Sequence, residues 1–207
     1  MKVKICGMRE EQNVIDILAL KPDFVGFIFY PPSGRYVGEN FDTKITDLVP
    51  KDCKKVGVFV NLPVADLMAI KILHKFDFVQ LHGNESWEYC KELSWLDTKI
   101  IKAFSIDEEF DWNEVKNYEK YCAYFIFDTK TIGFGGSGTK FDWEILKKYT
   151  GKVPFLLSGG VGLDDLDKIA KIKHQMLVGL DVNSRFETEP GVKDVQKLKK
   201  FIQQIKH

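Results

Sequence analysis

An excess of charge of either sign is the first thing missing from these 207 residues, in which 30 Lys plus Arg face 30 Asp plus Glu. A net charge of zero argues against nucleic acid or an anionic membrane surface as the main partner, since both call for a basic face. No apolar run is long enough to span a bilayer. Met1-Lys2-Val3-Lys4-Ile5-Cys6 enters a strand-like segment at once, which leaves no room for a signal peptide. Cysteine is sparse. Cys6, Cys53, Cys90 and Cys122 form no Cys-x-x-Cys pair and have no histidines close by, a spacing that suits neither zinc nor a dense disulfide framework. The expectation is a reduced, cytoplasmic chain without a metal, in which an important cysteine acts as a thiol. With no Ser- or Pro-rich linker to divide it, the chain reads as one domain over residues 1–207.

What the chain does have is rhythm. Near-continuous apolar runs recur at Lys2–Cys6, Phe24–Phe29, Lys55–Val60, Phe78–Leu81, Lys99–Phe104, Tyr124–Phe127, Val153–Leu157 and Met176–Leu180. Such runs fit parallel strands covered on both sides, not half-exposed antiparallel ones. Helix-like patterns fill the gaps. Leu163, Leu166, Ile169 and Ala170 share one face, as do Val192, Val195, Leu198, Phe201, Ile202 and Ile205. Pro63 after Asn61 marks a first helical turn, and Asp142 can cap a helix beginning at Trp143. An open doubly wound sheet would usually carry a Gly-x-Gly-x-x-Gly turn after its first strand, and Cys6-Gly7-Met8-Arg9 lacks it. Eight strand–helix units predict a closed (βα)8 TIM barrel, an α/β fold with its site at the C-terminal strand ends.

Polar residues gather at those ends: Cys6, Tyr30 before Arg35, Asn61, His82, Ser105, Asp128, Ser158-Gly159-Gly160 and Asp181. Arginine is rare, and Arg9, Arg35 and Arg185 follow strands 1, 2 and 8, which become neighbours when a barrel closes. A single surface arginine means little, but three on adjacent loops favour an anionic ligand. Gly159 and Gly160 before the seventh helix, and Asn183 and Ser184 after the eighth strand, stand where barrels frequently bind phosphate. A third glycine-rich segment, residues 133–139, reads as a lid over the mouth.

The ordered motifs are then familiar. Lys4-Ile5-Cys6-Gly7, Gly26-Phe27-Ile28-Phe29-Tyr30, Val58-Phe59-Val60-Asn61, Val79-Gln80-Leu81-His82-Gly83, Phe127-Asp128-Thr129, Gly135-Gly136-Ser137-Gly138, Leu157-Ser158-Gly159-Gly160 and Leu180-Asp181-Val182-Asn183-Ser184 together resemble the phosphoribosylanthranilate isomerase family. That resemblance implies an Amadori (aldose–ketose) isomerisation of N-(5-phosphoribosyl)anthranilate in tryptophan biosynthesis, with no metal or organic cofactor. It casts Cys6 as general base, Asp128 as general acid, Arg35 as the holder of the anthranilate carboxylate and Asp181 as a sugar contact. His82 reads as a pocket residue, and His74, His174 and His207 as surface ones. The chain departs from the family pattern at Met8-Arg9, at Ser33-Gly34-Arg35 and at Arg185, which stands where many relatives have glycine. If that position requires positive φ, Arg185 is strained; if not, it adds a phosphate contact.

Protonation states follow from neighbours. Strand alternation puts Lys4 on the inward side with Cys6, where a cation should lower the thiol pKa. Tyr124-Phe125-Ile126-Phe127 should give Asp128 an apolar seat that favours its protonated form. The competing readings are a non-catalytic phosphosugar-binding barrel and another phosphosugar enzyme such as indole-glycerol phosphate synthase, which would be expected to use an inward Lys and Glu. Oligomeric state is left open between monomer and homodimer.

Overall fold

The computed structural model of the chain describes residues 1–129 and 143–206. Among these, eight parallel strands close into a barrel in sequence order: β1 (Lys2–Ile5), β2 (Phe24–Ile28), β3 (Lys54–Phe59), β4 (Phe78–Leu81), β5 (Ile100–Ile106), β6 (Cys122–Thr129), β7 (Phe155–Leu157) and β8 (Leu177–Val182). The seam is the β1–β8 pairing, which runs from Lys2↔Gly179 to Ile5↔Val182. Around the barrel lie α1 (Glu11–Leu18), α2 (Thr43–Asp47), α3 (Val64–His74), α4 (Trp87–Trp95), α5 (Leu166–Lys171) and α6 (Val195–Lys206). Two connections carry 3-10 turns where the repeating pattern suggested full helices: Glu114–Tyr118 before β6 and Trp143–Lys148 before β7. The proposed cap Asp142 and the lid segment 133–139 lie outside the described residues, as does His207.

Alternation along the strands separates two apolar layers. Residues such as Val3, Val25, Phe27, Val79, Ile100, Phe104, Phe125 and Phe127 face the helices, whereas Phe24, Val56, Val58, Phe78, Ile101, Ala103, Ile126 and Leu156 fill the barrel. At the floor Phe24, Phe78 and Tyr124 meet pairwise with ring centroids 5.8 Å apart. Above them the inward positions climb by alternate strands, as barrels require: Lys4, Val56, Ile101 and Leu156, then Gln80 and Ile126, then Cys6, Val58, Ala103 and Ser158. His82 and Asp128 come next, at the mouth.

Several expectations need correction. Ala170 is exposed, so only Leu163, Leu166 and Ile169 of its predicted face pack inward. Val192 belongs to a short hairpin of β9 (Glu187–Glu189) and β10 (Val192–Lys193), not to the helix that follows it. His74 is buried, stacked on Phe76 and beside Phe29 and Phe41, and His174 is half-buried against Tyr149. Helical spacing around His74 hides this, because its burial comes from aromatic rings just past β2, further along the loop after it and before β4.

Candidate active site

The mouth opens into a cleft lined by Cys6, Tyr30, Arg35, His82, Asp128, Ser158, Gly159, Gly160, Asp181, Asn183, Ser184 and Arg185 among others. All nine residues singled out from sequence as catalytic, sugar-, carboxylate- or phosphate-contacting therefore line one cleft. Arg9 does not. It curls against Gly191 and Glu10, so two of the three arginines reach the ligand space. Asn61 and Ser105, also at strand ends, do not line it either; the Asn61 amide oxygen instead accepts from the Asn84 N–H at 2.7 Å.

Cys6 stands just past β1, its N–H donating to Val182 of β8 at 3.0 Å. Gly26 on the neighbouring strand makes room for it. A methyl group there would sit 2.9 Å from Cys6 Sγ and 3.3 Å from Lys4 Nζ. Lys4 is fully buried below the thiol and pairs with Asp181 at 2.8 Å. Burial pushes the Cys6 thiol up; the Lys4 ammonium pulls it back, Asp181 adds to the rise and Lys193 opposes it. Lys4 thus acts in the expected direction, but desolvation outweighs it and the resting group is a thiol. Burial alone would lower Lys4, yet the charges and hydrogen bonds of Asp181 and Cys6 hold it above its ordinary value.

Across the mouth, Asp128 faces His82, with Nε2 and Oδ2 3.5 Å apart. Of the four residues expected to seat it, Phe125 and Phe127 point to the helix layer, and Tyr124 and Ile126 share its inward side. His82 receives its own support from Gln80, whose side-chain nitrogen is 2.9 Å from Nδ1. The loop that follows His82 is fixed from behind. Buried Glu85 accepts from the N–H groups of Asn61 at 2.8 Å and Gly83 at 2.9 Å, and buried Lys102 binds Glu85 at 3.1 Å and the Gly83 carbonyl at 2.8 Å.

Arg35 has a partner that the sequence did not name. Its guanidinium does not stand open to the cleft but forks onto Glu187, with contacts of 2.7–2.9 Å. Glu187 also takes Lys193 at 2.5 Å, and Lys193 donates to Asn183 Oδ1 at 2.7 Å. Burial would raise the Glu187 carboxyl, but the Arg35 hydrogen bonds and the Lys193 charge carry it below the usual range. Burial lowers Lys193, with Glu187 opposing. No spacing rule links position 35 to 187, and this chain of charges went unread in the sequence.

Gly159 and Gly160 adopt φ of +90° and +70°, left-handed values that suit glycine and turn the loop after β7 towards the cleft. Arg185 is not among the described non-glycine residues at positive φ, so the strain considered for it does not arise. It pairs with Asp164 at 3.2 Å while lining the cleft beside Ser184. Among the described residues, no three His, Cys, Asp or Glu side chains gather where they could hold a metal ion, and no helix is long and apolar enough to cross a membrane.

Comparison with known proteins matches this geometry. The family model for N-(5'-phosphoribosyl)anthranilate (PRA) isomerase matches residues 3–204. The N-(5'-phosphoribosyl)anthranilate isomerase of Parabacteroides distasonis is 46% identical over 208 residues, covering 100% of this chain and 94% of that one. The crystal structure of phosphoribosyl anthranilate isomerase from Thermotoga maritima superimposes with a TM-score of 0.89 at 32% identity, covering 100% and 98% of the two chains. Another solved isomerase, in complex with reduced 1-(o-carboxyphenylamino)-1-deoxyribulose 5-phosphate, has a TM-score of 0.85 at 29% identity over 100% and 98%. With a (βα)8 barrel, a cysteine and an aspartate facing one cleft and a family match over nearly its whole length, this chain belongs to the N-(5'-phosphoribosyl)anthranilate isomerase family.

Proposed function

We propose that this chain isomerises N-(5'-phosphoribosyl)anthranilate to 1-(o-carboxyphenylamino)-1-deoxyribulose 5-phosphate by general acid–base catalysis, without a cofactor, in the cytoplasm and as one barrel domain over residues 1–207. The observation that carries the reading is the placement of Cys6 and Asp128 on opposite walls of one cleft whose third side is the glycine loop after β7.

Asp128 gives a proton to the furanose ring oxygen as the C1–O bond breaks, and the anthranilate nitrogen lone pair forms the C1=N iminium. Cys6, having given its own proton to solvent, then takes the proton from C2 as a thiolate, and the C–H electron pair neutralises the iminium as an enamine, which tautomerises to the ketone. A thiol held high by burial needs help to ionise. Lys4 and Lys193 supply part of it, and the cationic iminium supplies the rest at the moment of need. Asp181, already bound to Lys4, faces the sugar, while Gly159, Gly160, Asn183 and Ser184 take the phosphate with Arg185 beside them. The substrate carboxylate meets Arg35 within its Glu187 pairing, so Arg35 is preset in orientation.

The test is to generate the substrate in situ and follow its fluorescence decay with wild type, Cys6→Ala and Asp128→Asn. Decay that is rapid in wild type and slowed by about 10²–10⁴-fold in both folded variants supports the reading. A folded wild type without turnover, under conditions where a Thermotoga maritima enzyme works, overturns it.

A further inference from the structure

Gln80 precedes His82 by two residues on β4, is fully buried, and shares the inward side with Phe78. Its Nε2 is 2.9 Å from His82 Nδ1, while its Oε1 meets no hydrogen-bond partner among the described residues. The amide nitrogen beside the ring carries donors and no acceptor. Nε2 therefore donates, and a ring nitrogen that accepts carries no proton. The His82 proton then sits on Nε2, the nitrogen that faces Asp128 Oδ2 at 3.5 Å.

We propose that Gln80 is a positioning residue: it locks His82 as the neutral Nε2–H form, and that N–H orients the Asp128 carboxyl group for proton transfer. The proposal rests on the acid role assigned to Asp128 above. In the resting cleft the His82–Asp128 separation of 3.5 Å is longer than an N–H···O hydrogen bond. Such contacts tighten once a substrate is bound. When Asp128 has released its proton, the same N–H meets a full carboxylate charge and strengthens. A ring kept neutral does not compete with Asp128 as the proton donor.

The experiment combines two-bond proton–nitrogen spectra of 15N-histidine-labelled protein with steady-state kinetics, the His82 signal being identified by its loss in His82→Gln. Wild-type His82 is expected to be protonated on Nε2. In Gln80→Glu an acceptor replaces the donor, so the proton should move to Nδ1, and kcat should fall about tenfold with KM changed less than about twofold. That is far short of the ~10⁴-fold loss a wrong tautomer brings when the histidine itself relays the proton. A wild-type ring protonated on Nδ1 overturns the proposal, as does a reversed tautomer in Gln80→Glu with unchanged kcat. Gln80→Leu removes the donor without adding charge and serves where the Glu variant does not fold. A pure Nε2–H ring in Gln80→Leu also counts against Gln80. The spectra are read without turnover, so a failure of the isomerase assignment would show separately, as an inactive wild type with the expected tautomer.

Discussion

Two of the lysines buried among the described residues, each with a carboxylate, differ because they face opposite sides of the strand wall. Lys4 points inward at the β1–β8 seam, pairs with Asp181 and lies under the Cys6 thiol. Lys102 points outward from β5, pairs with Glu85 and ties the Gly83 carbonyl in the loop that leaves His82. Each pair satisfies the same electrostatic demand, since a buried ammonium without a counter-charge is costly. Only the first has its charge placed under the thiol proposed as the base. Direction of the side chain, set by strand parity, decides between chemistry and scaffolding.

The sharpest way to break this contrast is turnover. Lys4→Met should slow the isomerase by about 10²-fold or more, because the base loses its nearest cation. Lys102→Met, assayed at a temperature where it stays folded, should retain most activity; equal losses would erase the distinction. Stability should not separate them. Each single change leaves a buried carboxylate without its cation and should cost about 3–5 kcal/mol in urea unfolding. Lys4→Met/Asp181→Asn should recover part of that stability, though not the activity. Iodoacetamide labelling of Cys6 sharpens the comparison further. Its pH profile should move to higher pH in Lys4→Met, where a cation is gone and Asp181 is left unpaired, and stay put in Lys102→Met.

Glu187 offers a smaller, pH-resolved effect. Its carboxyl lies below its ordinary value of 4.5 in the folded protein. The stability this contributes is present above pH 4.5 and is lost as pH falls through the folded value. The gap in urea midpoint between wild type and Glu187→Gln should therefore shrink on acidification; a gap constant with pH would mean the ionised form contributes nothing. Least of all, Arg185→Gly should weaken phosphate binding several-fold with little change in kcat, since its cation sits at the rim with its side chain 38% exposed.

The fold was legible because eight apolar runs survive as eight strands with ends shifted by one or two residues, Lys99–Phe104 becoming Ile100–Ile106, for example. The cleft was legible because barrels put strand ends together, so Cys6, His82, Asp128 and Asp181 could be placed by position alone. What escaped reading was partnership across long separations. Arg35 and Glu187 are 152 residues apart, and neither periodicity nor local spacing encodes that contact. The net shift of the thiol was out of reach for a different reason. Sequence names the nearby cation, whereas burial, the larger influence, exists only in three dimensions.

The Lys4–Asp181 bond also joins positions 177 residues apart. During synthesis the first strand leaves the ribosome with an ammonium that has no counter-charge to meet until the eighth strand emerges. Any partly made barrel must keep that lysine wet, and so must keep its interior open. Closure of the wall and neutralisation of its charge become a single late event, and a chain stopped short of β8 has no dry core in which a premature, wrongly closed barrel could settle.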